Sequence, residues 1–544
     1  MKLAAGLPVR VLALVGLLVL VAAGGAGYLL YLGTTREVAT EGGTIVEGLV
    51  VDGPLSVLPP FAADTQNSHD IASHLYRGLT RIGAGAHPVP GLASSWTIDP
   101  TATVYTFHLR PGLRWSDGVP LTSADAVFTL HLLQDPALAQ AAVAAPWTGI
   151  TVEAPDPLTL VYKLPNPSGP FLSQASLGLV PEHFLRTRPI GTMRESIDAP
   201  TSGPFRVSRL ERDRLLLSRN SRAFEPPLVD GLEFRLYTSQ ASAVAALLSG
   251  EIDVLAGLSP ADAGAVSGAP NRRVVRTQSF AYIQLLFNQK QGPLADLAVR
   301  RAIAQAVDRT GIIRTPLRGY GHLDNSPIPP AIAWAAAPVG VGRDSTAAAA
   351  ALTAAGWLRP GGQGTRVKDG NPLMLRLSVA DLEPYRSIAV RLRTDLAAVG
   401  VEARLDLQSQ DVLVGQVLPG RAFDMALTAV DNGPDPDFFV FWHSSQQGAG
   451  GLNFSGMPKS VFLDKDLEDG RSSADIPTRR AAYADAQKIL ADNQPAVFLV
   501  SPDTLIGFNA RVLGVRLDDA IGSGDRYAYV SDWYVQTRRQ GIKK

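Results

Sequence analysis

An α/β body of more than one domain, carried behind a single apolar N-terminal segment, is the architecture this sequence predicts. Three observations predict it. The chain is 544 residues long, and at roughly 150 residues per domain that is room for about two to four. Strand-like alternation and helix-like periodicity interleave along its length with no short repeat. Residues 11–32 carry no charge, and the rest of the chain has no comparable run.

The apolar segment comes first. A run of about 20 apolar residues is long enough to cross a bilayer as a helix. Lys2 and Arg10 precede it, and Arg36 and Glu37 follow it. Basic residues before the span place the N-terminus inside and the body outside. The alternative is a cleaved signal peptide, with Ala22-Ala23-Gly24 as the small residues near the cut. Either way residues from about 40 onward are exported.

The body alternates. Residues 43–50 (GTIVEGLV) read as a strand, then a helix over 68–79, then an alternating strand over 104–109. Thr122 precedes a helical run over 123–134, with Asp125 in its first turn, where the free N–H groups favour negative charge. Further strands are expected over 158–164, 205–210, 214–219, 231–237 and 423–430, and helices over 241–249, 297–313, 346–355, 385–399 and 479–492. In 297–313 the residues Val299, Ile303, Ala306 and Val307 share one face, a stripe of core packing. The Pro- and Gly-rich stretches 327–330 and 360–370 read as surface loops.

Composition narrows the chemistry. Lys+Arg and Asp+Glu are 50 each, which argues against a dedicated nucleic-acid binder. Cys is absent, so disulfides, thiolate metal sites, cysteine nucleophiles and a lipid-modified cysteine are excluded together. The sequence holds no G-x-x-x-x-G-K-[ST], no G-x-S-x-G and no H-E-x-x-H. His69 and His74 lie five apart, off the spacing that aligns metal ligands on a helix, and read as surface or core histidines. Neither a catalytic motif, a metal site nor a cofactor is expected, and the weight falls on binding.

An ordered set of segments carries a resemblance. It runs through Leu75-Tyr76-Arg77-Gly78-Leu79, Pro90-Gly91-Leu92-Ala93-Ser94-Ser95-Trp96, the stretches 105–118 (YTFHLRPGLRWSDG) and 120–128 (PLTSADAVF), Ser202-Gly203-Pro204-Phe205, 248–254 (LSGEIDV), and Phe287-Asn288 through 299–303 (VRRAI). Together they resemble the family 5 solute-binding proteins of ABC importers, the oligopeptide/dipeptide-binding type. The resemblance implies a two-lobed periplasmic-binding-protein-like cleft fold with an extra domain in the first lobe. On that basis the expected divisions are 1–40 as anchor or signal, 41–65 with 195–285 and 495–536 as the first lobe, 66–194 as its extra subdomain, and 286–494 as the second lobe.

The acidic stretch 430–439 (VDNGPDPDFF) resembles that family's D-N-G-D-P loop. In peptide-binding members the first Asp of the loop holds the ligand's α-ammonium group, which points to Asp431 with its neighbour Asn432. Pro434 adds one residue between the two aspartates, so Asp435 is a second candidate, and the Trp often found three residues before the first Asp is Thr428. Arg386 stands where relatives often carry a basic residue facing the ligand carboxylate, and a guanidinium suits that role because two N–H groups match two oxygens. Asn453, in Asn453-Phe454-Ser455, resembles a cleft-lining segment. The resemblance implies a binding protein, not an enzyme. It would be extracytoplasmic, tethered by its N-terminal helix or released by cleavage, monomeric, and would deliver a peptide or other small solute to ABC permease subunits. A membrane-tethered sensor, or a receptor for an oligosaccharide, metal chelate or opine, is the alternative.

Overall fold

The computed structural model describes residues 20–25, 28 and 34–541, apart from 54, 56, 64, 139–140, 194–196, 291, 337–341, 518–519 and 522–524. Most of the apolar run over 11–32 therefore lies outside the described residues. Among those described, no helix is long and apolar enough to cross a membrane.

Strand β1 (Thr35–Thr40) leads into β2 (Thr44–Val50), helix α1 (Gln66–Leu75) and a hairpin of β3 (Thr80–Gly83) and β4 (His87–Pro90). Next come β5 (Ala93–Ile98), β6 (Val104–Leu109), α2 (Ser123–Gln134), β7 (Thr151–Asp156) and β8 (Thr159–Lys163). The chain then returns through β9 (Phe205–Leu210), β10 (Arg214–Arg219), β11 (Gly231–Tyr237), α3 (Gln240–Ser249), β12 (Val254–Ala256), α4 (Pro260–Ser267) and β13 (Arg272–Ser279). Across the crossing lie β14 (Ala281–Phe287), α5 (Leu297–Ala306), α6 (Arg309–Arg314), β15 (Gly321–Leu323), α7 (Ser345–Ala354), β16 (Met374–Ala380), α8 (Tyr385–Ala398), β17 (Glu402–Gln408) and β18 (Met425–Asp431). The last elements are α9 (Val461–Ser472), α10 (Ile476–Asn493), β19 (Ala496–Asn509) and β20 (Gln536–Gly541).

One sheet threads the molecule in the order β17-β16-β18-β14-β19-β12-β2-β11-β10-β9. β19 is what joins its halves. Its first part pairs with β14, from Leu286↔Ala496 to Ile283↔Val500, and its second part with β13, from Gln278↔Asp503 to Arg272↔Asn509. The chain thus crosses between two lobes at Phe280 and again at 501–503, side by side. Two adjacent extended strands with Pro502 in one of them form a hinge, since a few element-terminal residues can absorb the change in φ and ψ. Each lobe has its own core. Phe61, Phe205, Phe234 and Trp533 lie in the first, and Ile303, Leu377, Leu392 and Val500 in the second. A separate antiparallel sheet, β5-β6-β8-β7, packs Tyr105, Phe107 and Tyr162 around Phe171 beside the first lobe.

Local signals explain the elements. The Thr122 N–H donates to Asp125 Oδ2 at 2.9 Å, closing the start of α2. Gly250 ends α3 at φ +88°, in the left-handed region, with its N–H on the Ala246 carbonyl. The helix expected over 297–313 is two helices instead, because Asp308 interrupts it. Its N–H bonds Asp395 Oδ2 at 3.0 Å rather than a helical carbonyl, and its own carboxylate accepts the Gly311 N–H at 2.8 Å to start α6.

The lobes also touch away from the hinge. The β3–β4 hairpin puts Ile82 and Ala86 into a core with Phe280, Tyr282 and Ile332, and His87 stacks on Trp334 at 6.1 Å. The Gly169 N–H donates to the Arg471 carbonyl at 2.9 Å. Only glycine fits there, since a Cβ would lie 2.1 Å from the Ser473 carbonyl oxygen.

Candidate ligand cleft

In an open sheet, ligands collect outside the carboxyl ends of parallel strands. Here β2 ends at Val50, β12 at Ala256 and β18 at Asp431, and all three ends line one cavity of about 320 Å³ between the lobes. Ser279 and Thr504 of the crossing strands form its back, and Gln66, Asn67 and Asp70 of α1 one wall. Gln240 and Gly257 continue into a second groove of about 930 Å³ that reaches Arg318, Tyr320 and Arg386.

Asp431 enters from the second lobe. It is exposed, pairs with Ala281 at the crossing, and accepts the Gly433 N–H at 2.8 Å. It makes no ion pair among the described residues. The facing wall is built on Arg526. Its Nη2 reaches Asp70 Oδ2 at 2.6 Å and Glu47 Oε1 at 3.3 Å. The Tyr527 hydroxyl donates to Glu47 at 2.6 Å, and Gln66 to Asp70 at 2.9 Å. Burial pushes the Glu47 carboxyl up, against the opposing pull of Arg526. His74 lies in the same cluster, 3.9 Å from the Tyr527 ring, and burial holds it well below its ordinary range, hence neutral. With Asp70 matched by Arg526 and Asp431 free of an ion pair among the described residues, the cavity favours a cation.

The other expected residues sit differently. Asn432 donates through Nδ2 to the Pro327 carbonyl at 3.1 Å, which holds the loop. Asp435 makes a bidentate pair with Arg479, at 3.0 and 2.5 Å, and that guanidinium also donates to the Gly470 carbonyl. Asp437 pairs in parallel with Arg471 at 2.7 Å, and burial raises its carboxyl. Asn453 is buried and bridges the His443 carbonyl and Ser455. Arg386 pairs with Asp381 at 2.6 Å on the rim of the larger groove. The cleft therefore brings Asp431 together with Gln66, Asn67, Asp70 and Arg526, which local motifs did not single out. A buried Asp on the inward face of α1 was a weak signal for Asp70. Nothing local in sequence ties Arg526 to it. A pocket of about 170 Å³ in the second lobe, lined by Leu286, Val430, Phe441, Trp442 and Phe454, sits along the same strand, with the side-chain oxygen Oε1 of Gln284 buried and without a partner among the described residues.

Comparison with known proteins agrees with this architecture. Residues 87–451 match the model of the bacterial extracellular solute-binding proteins, family 5 Middle. The chain is 26% identical over 490 residues to the oligopeptide-binding protein AppA of Bacillus subtilis, covering 88% of this chain and 89% of that one. It is 25% identical over 452 residues to the nickel-binding periplasmic protein of Escherichia coli, covering 80% and 84%. The solved structure of Bacillus subtilis AppA in complex with a nonapeptide superposes with a TM-score of 0.71 at 24% identity, over 92% of this chain and 100% of that one. With two lobes, a crossing-strand hinge and a family match over two thirds of its length, the chain belongs to the family 5 bacterial extracellular solute-binding proteins.

Proposed function

We propose that this protein is the extracytoplasmic substrate-binding component of an ABC importer, and that it captures a peptide or similar amine-bearing solute by closing its lobes. It is a receptor rather than an enzyme: capture needs no bond made or broken, and the closed form is what a permease reads. The observation that carries the reading is the Asp431 carboxylate, without an ion pair among the described residues, at the cleft face opposite the Asp70–Arg526 wall. A carboxylate enclosed by closure needs a cation, because an uncompensated buried charge is costly. An α-ammonium supplies one with three N–H donors.

The cleft is graded along its length. Asp70 and Asp431 stand with Arg526 at the near cavity, and Arg318, Arg386 and Arg391 outnumber Glu383 and Asp503 at the far groove. An extended zwitterion would lie with its amino end at Asp431 and its carboxylate toward the arginines. The same gradient supports a second reading, a carboxylate-bearing solute such as a metal chelate or an opine held mainly by the arginines.

On the same reading residues 11–32 tether the body to the outer face of the plasma membrane, or are removed after export, and the body works as a monomer. We also propose the lobe division expected from the sequence, 41–65, 195–285 and 495–536 against 286–494 with 66–194 as the added subdomain, with its boundaries shifted to the crossings at Phe280 and 501–503. Native mass spectrometry of the fragment from residue 34 onward, followed by denaturation, tests the assignment. A released peptide mixture supports it. A single non-peptide solute retains the receptor and overturns the peptide.

A further inference from the structure

The first lobe holds a cavity that the cleft does not explain. It encloses about 420 Å³, and every residue around it belongs to the first lobe or its added subdomain. Its apolar side is Val143, Pro146, Trp147 and Phe224; its polar side is Arg77, Arg81 and Gln174.

Arg77 is the anomaly. Other deeply placed arginines have several partners or a carboxylate. Arg300 donates to the carbonyls of Leu294, Ala295, Asn493 and Gln494. Arg366 donates to Val399, Trp357, Ala349 and the Thr353 hydroxyl. Arg479 and Arg526 hold carboxylates. Arg77 donates once, from Nη1 to the Ser73 carbonyl at 3.1 Å. It has no ion pair among the described residues, and none of its nitrogens is sealed in protein, so its remaining N–H groups open onto the cavity. Its backbone is pinned, with the N–H on Ser202 Oγ at 3.0 Å and the carbonyl accepting from Leu179 at 2.9 Å, which fixes where the side chain leaves the backbone beside the cavity. Burial lowers it to about 10, opposed by Glu225, which also lines the cavity. A half-buried guanidinium with most of its donors turned to the cavity can take a bound anion. Arg81 adds a second positive charge nearby, lying 5.3 Å over the Tyr529 ring. The Gln174 amide makes no hydrogen bond through its side chain among the described residues, and it offers a further donor.

We propose that this first-lobe cavity is a second binding site, which takes a small organic carboxylate with its anionic end on Arg77 and its apolar body against Trp147, Val143 and Pro146. The site is independent of the interlobe cleft and of whatever the cleft carries. Two parallel N–H···O bonds suit the guanidinium, and the apolar wall selects against bare inorganic anions.

The test is ¹⁹F NMR of 4-fluorophenylacetate titrated into the fragment from residue 34 onward. The wild-type protein broadens the fluorine line saturably. Arg77→Met weakens binding by about 10- to 150-fold, the range for one lost charge-assisted contact, while Asp431→Asn and Arg318→Met leave it unchanged. If Arg77→Met does not fold, Arg77→Lys keeps the charge, loses the planar fork and still weakens binding. No broadening with wild-type protein overturns the proposal. So does affinity unchanged in the Arg77 variants, or loss on Asp431→Asn or Arg318→Met instead.

Discussion

Asp431→Asn is the sharpest perturbation of the cleft, because it removes a charge and almost nothing else. The Asn Oδ1 can still accept the Gly433 N–H that Asp431 accepts at 2.8 Å, so the loop keeps its turn. Asp431 has no cationic partner among the described residues, so no internal cation is left unpaired. What is lost is attraction to a ligand cation. Two unit charges about 4 Å apart at an effective dielectric of about 20 interact by about 4 kcal/mol. Part of that is cancelled by desolvation on closure, which leaves the usual 1.5–3 kcal/mol of a charge-assisted hydrogen bond, or about 10- to 150-fold in Kd. The opposite wall adds little to the difference, since Asp70 is already matched by Arg526 at 2.6 Å. The assay is a calorimetric cycle with whichever peptide the protein releases, synthesised with a free and with an acetylated N-terminus. The free amine is expected to bind wild type tighter by that factor, and Asp431→Asn is expected to abolish the preference. An equal loss for both peptides would refute the ammonium contact and leave Asp431 a loop residue.

Other outcomes follow from neighbouring geometry. Asp435→Ala strands the Arg479 guanidinium, which is 3% exposed; it is expected to cost about 3–5 kcal/mol in urea unfolding, and a loss under 1 kcal/mol would count against a buried pair. Gly169→Val drives a side chain into the Ser473 carbonyl, 2.1 Å from where its Cβ must sit; small-angle scattering is expected to show a larger radius of gyration than wild type, and an identical profile would mean that this contact does not hold the lobes together. Asp324 is raised to about 7 by burial, against the N–H groups of Ser326 and Asn325, the Ser501 hydroxyl and Arg309. Because the folded value exceeds the unfolded 3.8, its stabilising contribution is present below pH 3.8 and is lost as pH rises through about 7. Asp324→Asn is expected to remove that part of the pH slope, and an unchanged slope would place the titration elsewhere.

How much of this was legible in sequence depended on how local the cause was. The strands over 205–210, 214–219 and 231–237 and the helix over 123–134 lie where alternation and a capping pair put them. Those signals are short-range and close within a few residues. The split at Asp308 was not legible, since it depends on Asp395 reaching across from α8. Nor was β19, fourteen residues interrupted by Pro502. A proline inside a run weakens any strand reading, yet here it falls at the lobe crossing, where the ladder changes partners from β14 to β13.

The cleft shows the same division more sharply. The acidic loop is contiguous, so its aspartates could be named from 430–439 alone. Which of them faces solvent is set by arginines distant in sequence: Arg479 of α10 engages Asp435 and Arg471 of α9 engages Asp437, and Asp431 is left without an ion pair among the described residues. The facing wall is longer-range still. Arg526 meets Asp70 and Glu47 across more than 450 residues of chain. A carboxylate's role in this protein is therefore decided by which guanidinium the fold delivers to it. Among the described residues Asp431 has no ion pair and neither has Arg77, and these are the positions at which we propose that a ligand supplies the missing charge.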